Sequence, residues 1–342
     1  MASVDVAVPC YQYGRYLPGC VASVLSQGID AVRVLIIDNA STDGSLDVAR
    51  ELAAADKRVS VVAHPTNLGL HASFNEGIDW ASADYFILLC ADDLLAPNCL
   101  KRAVTVMEQH PDIDLTFGRE LIITSDEPPI LSDQPAGDVN WHILTGGELL
   151  ERICRTGRPD DGVFMISGAT AVVRTSAQKR VGHYRAELPH SSELEIWLRF
   201  ACLGSAAQTD LIQGVRRTHP VSRSASGIHN VHMWNVLYEA AFESFFAHEG
   251  ATIPQGKRLH RIARRALGER AYWGSLATLL RGDASLSLEL LKFAFTRCPR
   301  TMVVPPLGYL LHRDDTFSHF ANLIAAAARR MAGRVAPVHF RL

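Results

Sequence analysis

The first 120 residues alternate between two kinds of segment, and this alternation constrains the fold more than anything else in the chain. Runs that are apolar throughout are separated by stretches with helical spacing. Val4–Val8, Val32–Ile37, Val59–Ala63, Tyr85–Leu89 and Ile113–Phe117 read as strands. Arg15–Gln27, Ser45–Ala55, Leu70–Ala81 and Asn98–Gln109 read as the helices between them. A strand without a polar face is buried on both sides, and parallel strands need a crossover helix between them. The pattern therefore predicts an α/β fold, a mostly parallel sheet with flanking helices. Ligands of such sheets sit beyond the carboxyl ends of the strands.

The residues at those ends are polar. The first strand runs into Pro9-Cys10-Tyr11 and the second into Asp38-Asn39-Ala40-Ser41-Thr42-Asp43-Gly44. The third is followed by His64-Pro65-Thr66-Asn67-Leu68-Gly69, and the fourth by Asp92-Asp93. Adjacent carboxylates repel each other, and aspartate is a poor strand residue. The pair is either an acidic turn or a cation site. A carboxylate pair can hold a hard divalent cation, which in turn holds phosphates. An aspartate at a strand end can hold a ribose hydroxyl or a base N–H, or can simply cap the turn. Together the four ends suit a nucleoside diphosphate. Neither GxxxxGK[ST] nor a strand-coupled GxGxxG is present, which argues against a P-loop or dinucleotide site.

Beyond residue 120 the pattern changes. Thr124–Asn140 reads as a loop, Gly162–Arg174 as a loop entering a strand at Thr170–Val173, Leu194–Cys202 as a helix and Gln208–Val215 as a strand. From about Val231 the signal is helical: Trp234–His248, Gly256–Leu280, Ser285–Phe295 and Thr316–Ala332. Three regions result: 1–120, 121–230 and a helical C-terminal region, 231–342. The seven cysteines are scattered and form no CxxC pair, which speaks against a disulfide framework and for a reducing compartment. There is no secretory pattern at the start. No apolar run reaches the roughly 20 residues of a membrane span. A cytoplasmic protein is expected. The formal net charge of −2 hides an asymmetry. Residues 255–342 carry 15 Lys and Arg against 5 Asp and Glu, on an otherwise acidic body. Such basic helices are more often a solvated face than a membrane surface; the tail otherwise suggests peripheral contact with the inner membrane face or packing against a second copy, and nothing suggests nucleic acid.

The ordered run VAVPCYQYGRYLPGCVASVLSQ, VLIIDNASTDGS, NLGLHASFNEGI and YFILLCADDLLAP resembles the nucleotide-binding half of the inverting glycosyltransferase family 2, whose GT-A fold is Rossmann-like. The likeness is strong over 4–117 and continues more weakly to about residue 230. It implies a glycosyltransferase that moves a sugar from a nucleoside-diphosphate sugar, UDP above all, to a carbohydrate or lipid-linked acceptor with inversion. Polysaccharide, glycolipid or glycoconjugate biosynthesis is the implied setting. It also implies a divalent metal, Mn²⁺ or Mg²⁺. Carried onto this chain, Asp38 contacts the base, Pro9, Tyr11 and Asn67 belong to the nucleotide site, Asp92 lies near the ribose and Asp93 ligates the metal. The family motif is often Asp-x-Asp-Asp, and Cys90 takes its first position here.

Inverting transfer is a single displacement, so a carboxylate must take the acceptor's proton. Members of the family carry Glu-Asp ahead of a Leu-Trp-Leu-Arg helix, and that aspartate is the base. In Ser192-Glu193-Leu194-Glu195-Ile196-Trp197-Leu198-Arg199 the matching residue is Glu193, with Ser192 in place of the usual glutamate and Glu195 as the second candidate. The resemblance extends to Arg217-Thr218-His219, which implies phosphate contact by Arg217 and metal or diphosphate contact by His219. Ser167 and Gly168 match a position bordering the donor sugar or acceptor. Two other readings remain. One is a degenerate nucleotide-sugar binding module, suggested by Cys90 and Ser192. The other is a sugar nucleotidyltransferase, disfavoured because the first strand ends in Pro-Cys-Tyr-Gln-Tyr rather than a Gly-rich loop.

Overall fold

The computed structural model describes residues 2–131, 134–136, 139–157, 166–219 and 231–308. The expected helix Thr316–Ala332, the start of the loop before residue 166 and the run 220–224 lie outside these residues. The chain begins β1 (Ser3–Cys10), α1 (Leu17–Leu25), β2 (Ala31–Asp38), α2 (Ser45–Ala55), β3 (Val59–Ala63), α3 (Leu70–Trp80), β4 (Tyr85–Leu88). It continues through the two-residue β5 (Leu94–Leu95), α4 (Cys99–Gln109) and the long β6 (Ile113–Ile123). The alternation expected from the sequence is therefore present, with β5 as an addition.

The described strands form one nine-stranded sheet in the order β3-β2-β1-β4-β8-β6-β9-β5, with β7 also paired to β9. The first four strands are parallel. Here β8 (Val172–Arg174) lies antiparallel between β4 and β6. β9 (Ser205–Arg217) runs parallel to β6, and the short β5 and β7 (Trp141–Leu144) pair with it antiparallel. Register aligns the strand ends: Cys10 pairs with Asp38, Asp38 with Ala63 and Ala7 with Leu88.

Successive strand residues face opposite sides, so each central strand feeds two cores. From β4, Tyr85 and Ile87 join a core with β1's Val4, Val6 and Val8 and with α1 and α4. Phe86 and Leu88 join another with Ala7 and α3. A Cβ on Gly77 would lie 2.5 Å from Ala7 Cβ, so α3 reaches β1 only because residue 77 has no side chain.

Three further helices belong to the second half: α5 (Gly146–Thr156), α6 (Thr175–Val181) and α7 (Ser192–Phe200). α5 starts with a Thr145–Glu148 capping box. The C-terminal region contributes α8 (Val231–Ala247), α9 (Gly256–Arg281) and α10 (Ala284–Arg297). Phe242, Phe245, Leu267 and Phe293 from these helices share one core with Leu149, Ile153 and Trp197. The helical region is thus packed into the body of the molecule. Among the described residues no helix is long and apolar enough to cross a membrane, and all seven cysteines are free.

Candidate active site

The carboxyl ends of β1 to β4 open into one cleft of about 690 Å³. It is lined by Pro9 to Tyr13, Asn39, Asn67, Cys90, Asp92 and Asp93 from the strand ends, and by Pro189, Ser192, Glu193, Arg216 and Trp234 from the second half of the chain. The strand ends expected to converge do so.

The floor is made of two tight turns. Gln12 and Ala40 have left-handed backbones, φ 62° and 59°, which cost a residue with a Cβ roughly 1 kcal/mol each. They are stitched together: the Gln12 N–H donates to Ser41 Oγ at 3.0 Å, and its side-chain amide to Thr42 Oγ1 at 2.8 Å. Asn39 ties β2 to β3. Its Oδ1 accepts from the Leu68 N–H at 2.8 Å and meets His64 Nδ1 at 2.9 Å, while its Nδ2 donates to Asn67 Oδ1 at 2.9 Å. His64 Nε2 reaches Glu76 at 2.6 Å. Asp38 lies just beneath the lining, 1% exposed. Its Oδ2 accepts from the Ser41 N–H at 3.1 Å, and its Oδ1 has no partner among the described residues.

Asp92 and Asp93 are both buried. Burial pushes both carboxyls up, and for Asp93 the charge of Asp92 adds to it. Compensation is partial. Asp93 accepts from the Arg217 N–H at 2.9 Å, and His219 Nε2 stands 3.3 Å from Asp92 Oδ2. Donor atoms of Cys90, Asp92 and Asp93 all lie within 4.8 Å of one another. Two hard carboxylates left short of positive charge, in a cleft, fit a divalent cation.

Arg217 braces this pair and is itself buried. Its Nε donates to the Asp92 carbonyl at 3.2 Å, and its guanidinium lies 4.6 Å over the Tyr16 ring. His219 is wedged against Tyr13 and Tyr16, and its Nδ1 has no partner among the described residues. Arg216, not singled out from the sequence, also lines the cleft. Glu120 holds it at 2.8 Å, and Ser167 Oγ donates to the other Glu120 oxygen at 2.8 Å. Ser167 therefore acts on the cleft through Glu120 and Arg216.

Glu193 stands in the first turn of α7, exposed to the cleft. The Gly168 N–H donates to its Oε1 at 3.3 Å. A Cβ on Gly168 would lie 2.6 Å from the Leu88 carbonyl oxygen, so the loop can abut the end of β4 only with glycine there. Glu193 is thereby held beside the strand that carries the acidic pair. Glu195, two residues on, points the other way. It is fully buried between Arg199 at 2.8 Å and Arg185 at 2.6 Å. Burial pushes its carboxyl up against the opposing pull of both arginines. It does not line the cleft.

The sequence also gave no hint of Trp234. It comes from α8, rests against Tyr238 with ring centroids 5.6 Å apart, and lies near His190. Trp197, by contrast, is a core residue.

The family model for glycosyl transferase family 2 matches residues 5–181, just over half of the chain. The chain is 28% identical over 200 residues to the putative glycosyltransferase EpsE of Bacillus subtilis, covering 58% of this chain and 66% of that protein. It is 24% identical over 208 residues to a glycosyltransferase of Haemophilus influenzae, covering 60% and 62%. The matched stretch thus spans somewhat less than two thirds of those relatives. Among solved structures, S. aureus TarS 1-349 in complex with UDP-GlcNAc superposes with a TM-score of 0.62 at 15% identity, over 98% of this chain and 93% of that one. The mannosyltransferase PcManGT of Pyrobaculum calidifontis, in complex with GDP-Man and Mn²⁺, gives 0.51 at 17% identity, over 97% and 88%. The fold is the expected GT-A arrangement, and the chain belongs to glycosyl transferase family 2.

Proposed function

We propose that this chain is an inverting glycosyltransferase that moves a sugar from a nucleoside-diphosphate sugar to an acceptor hydroxyl. The observation that carries the proposal is that the acidic pair and Glu193 line one cleft where four parallel strands end, with Glu193 held beside the end of β4 by the Gly168 N–H. The nucleotide side is the strand-end wall. Pro9, Tyr11 and Asn67 border the nucleoside, the unpartnered Oδ1 of Asp38 is available to a base N–H, and Asp92 faces the ribose. Asp93 and Asp92 would hold Mn²⁺ or Mg²⁺, with His219 beside Asp92. When bound, the cation would neutralise the diphosphate and its developing charge. Arg216 adds a cationic side chain to the cleft.

Glu193 takes the proton of the acceptor hydroxyl as the new C1–O bond forms and the C1–O bond to the diphosphate breaks. It lines the same cleft as the acidic pair, and a one-step displacement needs a carboxylate there to take the proton. Glu195 is excluded from this role by its two arginine partners. Trp234 forms an apolar wall on the Glu193 side, where an acceptor sugar ring would lie. The complexes of TarS with UDP-GlcNAc and of PcManGT with GDP-Man support a nucleotide-sugar donor, and we take UDP as its nucleotide. A carbohydrate or lipid-linked acceptor, in polysaccharide or glycoconjugate synthesis, is the acceptor class we infer from the family resemblance.

Peripheral membrane contact is the reading we favour for the C-terminal region. Met302, Val303 and Val304 are 61%, 84% and 64% exposed beside the cations Arg297 and Arg300. Flotation with anionic vesicles is expected to carry the protein, and its absence removes this part.

The transferase test is release of nucleoside diphosphate from UDP- and GDP-sugars with Mn²⁺ and an acceptor panel. Glu193→Gln is expected to lower kcat by about 10²–10⁴-fold, and Asp93→Ala to abolish turnover. Full activity in both variants would sink the assignment. Nucleotide binding without turnover on any acceptor would favour the binding-module reading.

A further inference from the structure

One member of the acidic cluster has no part in the transfer as derived above. Cys90 stands where relatives often carry aspartate, and it lines the cleft. Its Sγ makes no hydrogen bond among the described residues. Its side chain also packs against the core that holds Phe86, and its backbone carbonyl accepts from the Asp93 N–H at 3.0 Å and from Cys20 Sγ at 3.6 Å. Yet Sγ lies within 4.8 Å of a carboxylate oxygen of both Asp92 and Asp93. Donors sharing one ion at roughly 2.0–2.6 Å each are at most about 5 Å apart. The three atoms therefore already have the spread that a common cation requires. A second feature points the same way. His219 is 7% exposed, its Nε2 is 3.3 Å from Asp92, and its Nδ1 has no partner among the described residues. Asp92, itself buried, is met by this imidazole only at the long distance of 3.3 Å, so its charge is under-compensated for a buried carboxylate.

We propose that Cys90 Sγ is a direct ligand of the divalent cation in this cleft and tilts the site toward thiolate-accepting ions, Co²⁺ and Zn²⁺, over Mg²⁺. The inference rests on the metal reading given above. Binding forms a sulfur–metal bond and breaks the S–H bond, and the proton leaves to solvent without any change of oxidation state. Thiolate favours softer ions, whereas Mg²⁺ takes oxygen ligands and gives up its water reluctantly. An aspartate at the same position would supply oxygen and remove the preference.

The test uses Co²⁺ added to the full chain in the presence of UDP. A thiolate–cobalt charge-transfer band in the near ultraviolet is expected in the wild type and in Cys202→Ser, and is expected to be lost in Cys90→Ser. Calorimetry is expected to show Co²⁺ binding at least about tenfold tighter than Mg²⁺, with Cys90→Asp reducing that ratio to a few-fold. Alkylation by iodoacetamide needs no variant: Co²⁺ is expected to shield Cys90 alone, read by peptide mass spectrometry. Co²⁺ binding that Asp93→Asn abolishes, but with no band and no shielding of Cys90, overturns the ligation while sparing the metal site. No Co²⁺ binding, or binding indifferent to Asp93→Asn, overturns both.

Discussion

At the scale of single residues the site is governed by uncompensated charge. Burial raises the Asp92 and Asp93 carboxyls, and the charge of Asp92 raises Asp93 further. A carboxyl raised in the folded state keeps its proton there longer than in the unfolded chain, where it titrates near about 3.9. Its contribution to stability is therefore fully present below that value and is lost as pH climbs toward the raised one. In the ligand-free protein, Asp93→Asn removes this loss. Its melting temperature is expected to exceed that of the wild type by a margin that grows as pH rises from about 3.9 toward the raised value. A margin independent of pH would contradict the assignment. Mn²⁺ is expected to stabilise the wild type more at the upper end of that range, and Asp93→Asn hardly at all. Asn39 makes a different case. Truncation to alanine takes from the Leu68 N–H and from His64 Nδ1 the oxygen they share. A cost of about 1–3 kcal/mol is expected in denaturant unfolding.

At the scale of elements, α7 divides its two glutamates by helical geometry. Residues two apart lie on nearly opposite sides of a helix, so Glu193 faces the cleft and Glu195 the interior. Glu195→Gln breaks a buried ion triad and is expected to cost about 3 kcal/mol while leaving nucleotide affinity unchanged. Glu193→Gln should do the reverse, sparing stability and removing turnover. A variant at residue 195 that folds normally but cannot turn over would reverse the assignment. Gly77→Ala, which crowds α3 against β1, is expected to cost about 1–3 kcal/mol. The elements that proved legible in the sequence were those with a strong local pattern. β3 and α2 have the bounds that the residue pattern suggests, and the strand ends carrying Pro9, Tyr11, Asn67 and the acidic pair meet as expected. Elements defined by long-range pairing were not legible. β5 has two residues, and three of the four in β7 are not buried, so neither carries an apolar run. α5 did leave a signal, the Thr145–Glu148 capping box ahead of Leu149 and Leu150, which went unread. Arg216 and Glu120 become site residues only because β6 and β9 lie side by side, which no local spacing reveals.

At the scale of the whole molecule, the C-terminal helices are part of the body that carries the cleft. The core that holds Phe86 and Trp197 also holds Phe242, Leu267 and Phe293, and α8 delivers Trp234 to the cleft. Trp234 was hidden in the sequence because α8 is apolar on most sides, so no face stands out as functional. A chain cut before residue 231 is expected to aggregate or unfold, having lost one side of its core. A soluble, cooperatively folding 1–230 fragment would show that the two regions are independent. The scattered contacts meet in one claim, that the four strand ends and their acidic pair form a cation-dependent nucleoside-diphosphate site. The most direct measurement is calorimetric titration of UDP and GDP with and without Mn²⁺, in the wild type, Asp93→Asn and Glu193→Gln. The expected result is Mn²⁺-dependent binding of one nucleotide, lost in Asp93→Asn and retained in Glu193→Gln. Binding that ignores both Mn²⁺ and the loss of Asp93, or no binding of either nucleotide, would contradict it.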